Sequence, residues 1–196
     1  KSRIEPIGAA ATLIWEEWKK RSHAHHISHK SAQLLAVAIL SNTLNFGAVI
    51  TDKRDHVAFA ELQAIAPLTE EWITHYFEEQ ESAILQDVRH AIISDTKVLT
   101  LPGLPFTLTI GQLELWNGST FLAQNKETIS SALETFGHDH FIMSIPSLSE
   151  KKNHFYTKNE EVKALFSQGL DITFVDDCAT SPRLWLRKDI IKQLTP

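Results

Sequence analysis

Cysteine is nearly absent from this sequence. Cys178 stands alone in 196 residues, which excludes a disulfide framework within the chain and suits a reducing, cytoplasmic compartment. No apolar run is long enough to form a membrane-spanning helix. Positive charge is not in excess: lysine and arginine number 19 against 24 aspartates and glutamates, a net charge of −5. Nothing therefore draws the whole chain to a nucleic-acid polymer or an anionic membrane, and any anion site has to be local. No segment repeats at a fixed period, which removes the repeat arrays. What is present, 43% hydrophobic and 22% charged residues, makes an ordinary globular protein with room for one large domain or two small ones. The chain opens on Lys1 rather than Met and is expected to be a fragment.

The stretch 31–46, SAQLLAVAILSNTLNF, is the centre of the amino-terminal part. From 34 to 40 it holds no charge and little amphipathic contrast, which predicts a helix buried on nearly every side, with Ser28 as its N-cap. It runs into Ser41, Asn42, Thr43 and Asn45, which either close the helix, with Asn45 and Gly47 in left-handed geometry, or face a ligand. The helix end is the plainer account. Upstream, Glu5-Pro6 leads into a helix from Ile7, whose bare first turn around Gly8 admits another backbone or a phosphate; close packing is the plainer reading. His23, His25, His26 and His29 resemble a metal tract, but no acidic or cysteine ligand lies nearby, and an exposed connector is expected. Thr51 is expected to cap a helix over 52–66, stopped by Pro67. A further helix opens at Thr69, with Trp72, Ile73, Tyr76 and Phe77 on one side. The run Glu78-Glu79-Gln80-Glu81 reads as its solvated face or as the link to a helix over 83–93.

After Asp95 the pattern changes. Strands are predicted at 97–100 and 106–116, on either side of a turn at Pro102-Gly103. A helix starting at Asn125 or Thr128 and ended by Gly137 comes next, then strands at 140–145 and 154–157. A helix over 160–168 closed by Gly169 and a strand over 171–175 complete the pattern. The expected fold class is α/β: a helical amino-terminal part over 1–68, connecting helices over 69–95, and an α/β domain with a mixed sheet over 96–196.

Three places could carry chemistry. His138-Asp139-His140 could form a metal pair, though a turn is expected. Asp176-Asp177 could hold a cation, and a polar loop is an equal account. Arg187-Lys188, set between apolar segments, could grip a phosphate, the arginine bidentately and the lysine as a compact charge; solvated cations on a final amphipathic helix fit equally well.

The order of motifs resembles the DHH superfamily of phosphoesterases. Glu5-Pro6-Ile7-Gly8 with Ala11-Thr12 resembles its EPVG-x-x-AT segment, and the run 39–46, ILSNTLNF, its ILSDTLLF segment. The run 51–55 looks like the threonine-plus-charges helix start that follows. Thr109-Ile110-Gly111-Gln112 resembles the strand-borne Gly-Gln of the DHH-associated carboxyl-terminal domain, and Leu186-Arg187-Lys188 its closing SRKKQ. The nearest groups are the manganese-dependent family II inorganic pyrophosphatases and the exopolyphosphatases.

The resemblance implies a two-domain phosphoanhydride hydrolase in which manganese, or magnesium, activates a hydroxide and cations of the second domain clamp the substrate. Arg187 and Lys188 match the clamp, and Asn42 stands where the family carries an aspartate metal ligand. Pyrophosphate, polyphosphate or another phosphorylated small molecule is the implied partner, with neither nucleic acid nor membrane. The 196 residues contain no Asp-His-His triplet, so no metal is expected to bind this chain and no turnover is expected from it alone. The glutamates Glu78-Glu79 fall where a further clamp lysine is expected. The alternative is a catalytically inactive relative that binds a phosphorylated ligand or a protein. Arg187→Ala is expected to weaken pyrophosphate binding and leave stability nearly unchanged.

Overall fold

A computed structural model describes residues 4–21 and 27–195; His23, His25 and His26 of the histidine tract lie outside the described residues. The chain divides into two compact units, Lys1–His75 and Tyr76–Pro196.

In the first unit, α1 (Ala10–Lys20), α2 (His29–Asn42) and α3 (Lys53–Ile65) pack on one another around Trp15, Ala36, Ile39, Leu40 and Leu62. Ser28 caps α2, its hydroxyl accepting the Ser31 N–H at 3.1 Å. The helix is not enclosed all round. Leu34 is 62% exposed, and burial is confined to Ala32, Ala36, Ile39 and Leu40, where α1 and α3 pack. Its polar end proves to be a cap. Thr43, fully buried, donates through Oγ1 to the Ile39 carbonyl at 2.7 Å and accepts the Phe46 N–H at 3.1 Å. Leu44, Asn45 and Phe46 all take left-handed φ values, 52°, 52° and 64°, whereas Gly47 does not. Such geometry costs roughly 1–2 kcal/mol per residue. It is offset by the burial of Leu44 and by the stacking of Phe46 on His56 at 4.3 Å.

Helix α1 starts at Ala10 rather than Ile7, because Asp55 fixes the backbone ahead of it. The fully buried Asp55 carboxylate accepts the Gly8 and Ala9 N–H groups at 3.1 and 3.3 Å and the Thr12 hydroxyl at 2.6 Å. It also takes the Asp52 N–H at 2.9 Å, and Asp52, not Thr51, caps α3. The bare backbone at Gly8 thus receives a carboxylate of the chain itself, a favourable partner for the positive end of a helix. A Cβ on Gly8 would lie 2.5 Å from Asp55 Oδ2 and 2.8 Å from Thr43 Cγ2.

Helix α4 (Glu70–Gln86) begins in the first unit and ends in the second, where α5 (Val88–Ser94) follows. The second unit is a six-stranded mixed sheet in the order β1-β2-β3-β4-β6-β5. Its strands are β1 (Thr96–Thr100), β2 (Thr107–Gln112), β3 (Phe141–Ser147), β4 (Lys152–Tyr156), β5 (Phe174–Val175) and β6 (Cys178–Ser181). Only β2 and β3 pair in parallel, through α6 (Gly118–Glu134); the other pairs are antiparallel. One face of the sheet carries Leu108, Ile110, Ile142 and Phe155 against α7 (Glu160–Leu170) and α8 (Arg187–Leu194). The other carries Leu113, Met143 and Ile145 against α5 and α6. This is the α/β class expected from the alternation of strands and helices. No helix among the described residues is long and apolar enough to cross a membrane.

Several boundaries differ from expectation. The predicted strand over 106–116 stops at Gln112, after which Leu115 makes a single parallel bridge to Ser147. Helix α7 passes Gly169 and is closed by Asp171 in left-handed geometry, φ 53°. The short β6, Cys178–Ser181, was not predicted. Helix α6 starts at Gly118, not at Asn125 or Thr128, because remote side chains hold its first turn. Glu81, expected on a solvated face, is 8% exposed and takes the Asn117 N–H at 3.2 Å. Ser147 accepts the Gly118 N–H at 2.9 Å, and Glu150 the Ser119 N–H at 3.3 Å.

Burial works against the ionised form of Glu150, but hydrogen bonds from Ser119, Ser147 and His154 outweigh it and hold its pKa down to about 2. A carboxylate with a depressed folded pKa contributes stability that is present above its unfolded value and lost as pH falls through the folded one. Wild type should therefore exceed Glu150→Gln by about 1 kcal/mol near pH 7, allowing for solvent screening of this partly exposed group. The gap should close between about pH 4.5 and pH 2. Urea midpoints across that range measure it, and a gap that does not change with pH would contradict it.

Candidate anion-binding site

Along β2 and just beyond it, Leu108, Ile110, Gln112 and Glu114 share one face by strand periodicity, the face covered by α7 and α8. The apolar row therefore turns polar at the carboxyl end of the strand. Ser144 stands beside Gln112 on the parallel neighbour β3, accepting a hydrogen bond from Asn153 at 3.0 Å. Asn153 in turn accepts the Trp185 N–H at 3.0 Å, which seats the segment leading into α8 over this polar edge. Carboxyl ends of parallel strands are where open α/β sheets bind ligands.

Arg187 and Lys188 open α8 at this edge, and the residue before them, Leu186, offers no side-chain cap. The Arg187 guanidinium is already engaged. Nη1 donates to the Asp95 carbonyl at 2.8 Å and to the Ile110 carbonyl at 3.2 Å, and Nη2 pairs with the Asp95 carboxylate. Lys188 is exposed and makes no hydrogen bond or ion pair among the described residues. Gln112, 4% exposed, donates through Nε2 to Glu114 at 3.0 Å, while its Oε1 is buried without a partner among the described residues. Asp189 Oδ2 is in the same position. Burial, reinforced by the charge of Asp95, pushes the Glu114 carboxyl up to about 7, against the opposing pull of Gln112, Arg187 and Lys188. Burial also raises the Asp189 carboxyl.

The remaining sequence candidates lie elsewhere. Asn42, in the first unit, is exposed and spends its Nδ2 on the Ala38 carbonyl at 2.9 Å. Glu78 and Glu79 are exposed on α4. His140, in the bend between α6 and β3, stacks on Phe106 at 4.0 Å and hydrogen-bonds Glu161 at 2.6 Å. Asp177 accepts from Lys163 at 2.9 Å. Among the described residues no three His, Cys, Asp or Glu side chains gather at metal-binding distances. With Asn42 neutral and tied to its own helix, the residues described here do not fit a manganese pair. Sequence reading missed Glu114 and Asp95; the polar residues that continue the Leu108-Ile110 face of β2 were the signal for Glu114.

These features define a mixed α/β unit with one engaged and one open cation at the carboxyl end of its parallel strand pair, beside a carboxyl whose pKa burial raises. No family model matches the chain. It is 25% identical over 200 residues to a protein from Lactobacillus delbrueckii subsp. bulgaricus described as a probable manganese-dependent inorganic pyrophosphatase, covering 99% of this chain and 62% of that one. It superposes with a TM-score of 0.75 and 20% identity on the crystal structure of a Methanococcus jannaschii protein assigned to the family II inorganic pyrophosphatases, over 97% of this chain and 66% of that one. A Bacteroides fragilis exopolyphosphatase-related protein superposes at a TM-score of 0.39, too loosely to add to the argument. The resemblance read from the motifs thus holds over nearly the whole chain, which spans less than two thirds of these relatives.

Proposed function

We propose that this chain is the phosphate-holding, carboxyl-terminal portion of a phosphoanhydride hydrolase acting on pyrophosphate or short polyphosphate in the cytoplasm. The observation that carries the reading is Lys188, an open cation at the carboxyl end of the parallel strand pair, in a chain similar over 99% of its length to a pyrophosphatase. Lys188 attracts a phosphoryl oxygen, the positive end of α8 favours the same anion, and Arg187 holds the edge in place through Asp95. A second reading, an inactive relative that binds a phosphorylated ligand, is favoured by the neutral Asn42. In both readings the 196 residues bind pyrophosphate without hydrolysing it. Calorimetry should detect binding, and manganese should give no phosphate release above a no-protein control. Absent binding would refute the phosphate-site reading, and manganese-dependent release would refute the assignment of the chain as a non-catalytic portion. Restoring activity by adding the metal-ligand half of a pyrophosphatase would decide for the hydrolase over the inactive relative.

A further inference from the structure

Gln112 and Glu114 pose a problem that the cation pair does not explain. A buried amide oxygen without a partner is costly, and here it sits on an amide whose nitrogen is spent on the neighbouring carboxylate. We infer that Gln112 and Glu114 form a proton-coupled pair, so that each oxyanion enters this site together with one proton, which Glu114 takes up.

The argument is one of charge and donor count. The charged groups around Glu114 are Asp95 ahead of β1, and Arg187 and Lys188 on α8; Asp189 lies in the same first turn of α8. Arg187 is matched by Asp95, so Lys188 is the cation left for a ligand, and an ionised Glu114 works against it. With Glu114 ionised, Gln112 Nε2 donates to the carboxylate and Oε1, an acceptor, is the atom left over, which repels an oxyanion. When Glu114 takes a proton from solvent, its O–H becomes a donor. The amide then turns over: Oε1 accepts from Glu114, and Nε2 is released to donate to the anion. The same proton removes the negative charge opposing Lys188 and satisfies the orphaned oxygen. The carboxyl, held near 7 by burial and by Asp95, is poised to change state at neutral pH.

This inference rests on the anion-site reading above, and the test separates the two. Sulfate is the probe, because it does not itself titrate near neutral pH. Calorimetry of the chain in two buffers of different ionisation enthalpy should show uptake approaching one proton per sulfate above about pH 7, with affinity falling up to about tenfold per pH unit there. Glu114→Gln should bind sulfate with no uptake and a flat pH profile. In the wild-type chain, the carboxyl carbon resonance of Glu114 should titrate at a higher pH with sulfate than without, a readout that does not depend on the variant folding. Sulfate binding with the same proton uptake in the variant, or a carboxyl titration unmoved by sulfate, overturns this inference and leaves the anion site standing. Failure of both proteins to bind sulfate overturns the anion site and this inference with it.

Discussion

Replacing Asp55 with alanine is expected to destabilise the first unit by about 3–5 kcal/mol, the usual cost of removing one partner from a buried charged network. The carboxylate gathers Gly8 N–H, Ala9 N–H, the Thr12 hydroxyl and Asp52 N–H at one fully buried point. These donors belong to the starts of α1 and α3, so one side chain fixes both helix entries. Removing it orphans donors that water cannot reach. Asp55→Asn keeps the shape and one acceptor oxygen but puts an amide N–H against backbone donors, and should cost about half as much. Gly8→Ala should approach the alanine variant in effect, since its Cβ would stand 2.5 Å from Asp55 Oδ2 and would have to displace the carboxylate. Urea unfolding of the whole chain followed by circular dichroism, with the second unit as internal reference, measures all three. A loss below about 1 kcal/mol for Asp55→Ala would show that the cradle is not what holds α1 to α3.

The second large effect separates two adjacent residues. Arg187→Ala should cost about 1.5–3 kcal/mol of stability, the range for hydrogen bonds to charged groups, because it strips the Asp95 carboxylate and the Asp95 and Ile110 carbonyls of their donor. This reverses the stability half of the sequence-based expectation, which had treated Arg187 as a free cation. Lys188→Ala should leave stability unchanged and weaken pyrophosphate binding about tenfold, equivalent to ~1.4 kcal/mol. A cycle with Asp95→Ala isolates the pair: Arg187→Ala should cost much less once Asp95 is gone. If Arg187→Ala weakened binding at unchanged stability while Lys188→Ala did neither, the roles assigned to the two cations would be exchanged.

The contrast between these residues shows how far sequence reaches. Ser28 as the cap of α2, the Pro102-Gly103 turn and Gly137 after α6 were legible because each acts on backbone a few residues away. Gly103 and Gly137 take φ values of 84° and 74°, which glycine adopts without penalty. The inward alternation of β2 was legible because strand period alone places Leu108 and Ile110 on one face. The order of motifs, from Glu5-Pro6 to Arg187-Lys188, was enough to indicate the relatives that the whole chain later matched.

Other features had no local signal. The start of α1 depends on Asp55, 46 residues beyond Ala9, and the start of α6 on Glu81 and Glu150, 36 and 31 residues from the groups they accept. Arg187 looks free until its partner Asp95, 92 residues away, is brought beside it. By itself the sequence determined most of the elements, the apolar face of β2 and the motif order, because propensity, periodicity and local caps act within a turn or two of chain. Only the tertiary structure decided where α1 and α6 begin, which of the two cations is open, and that Glu114 is desolvated, because backbone donors, ion pairs and burial are satisfied by whatever the fold brings near, at any separation along the chain.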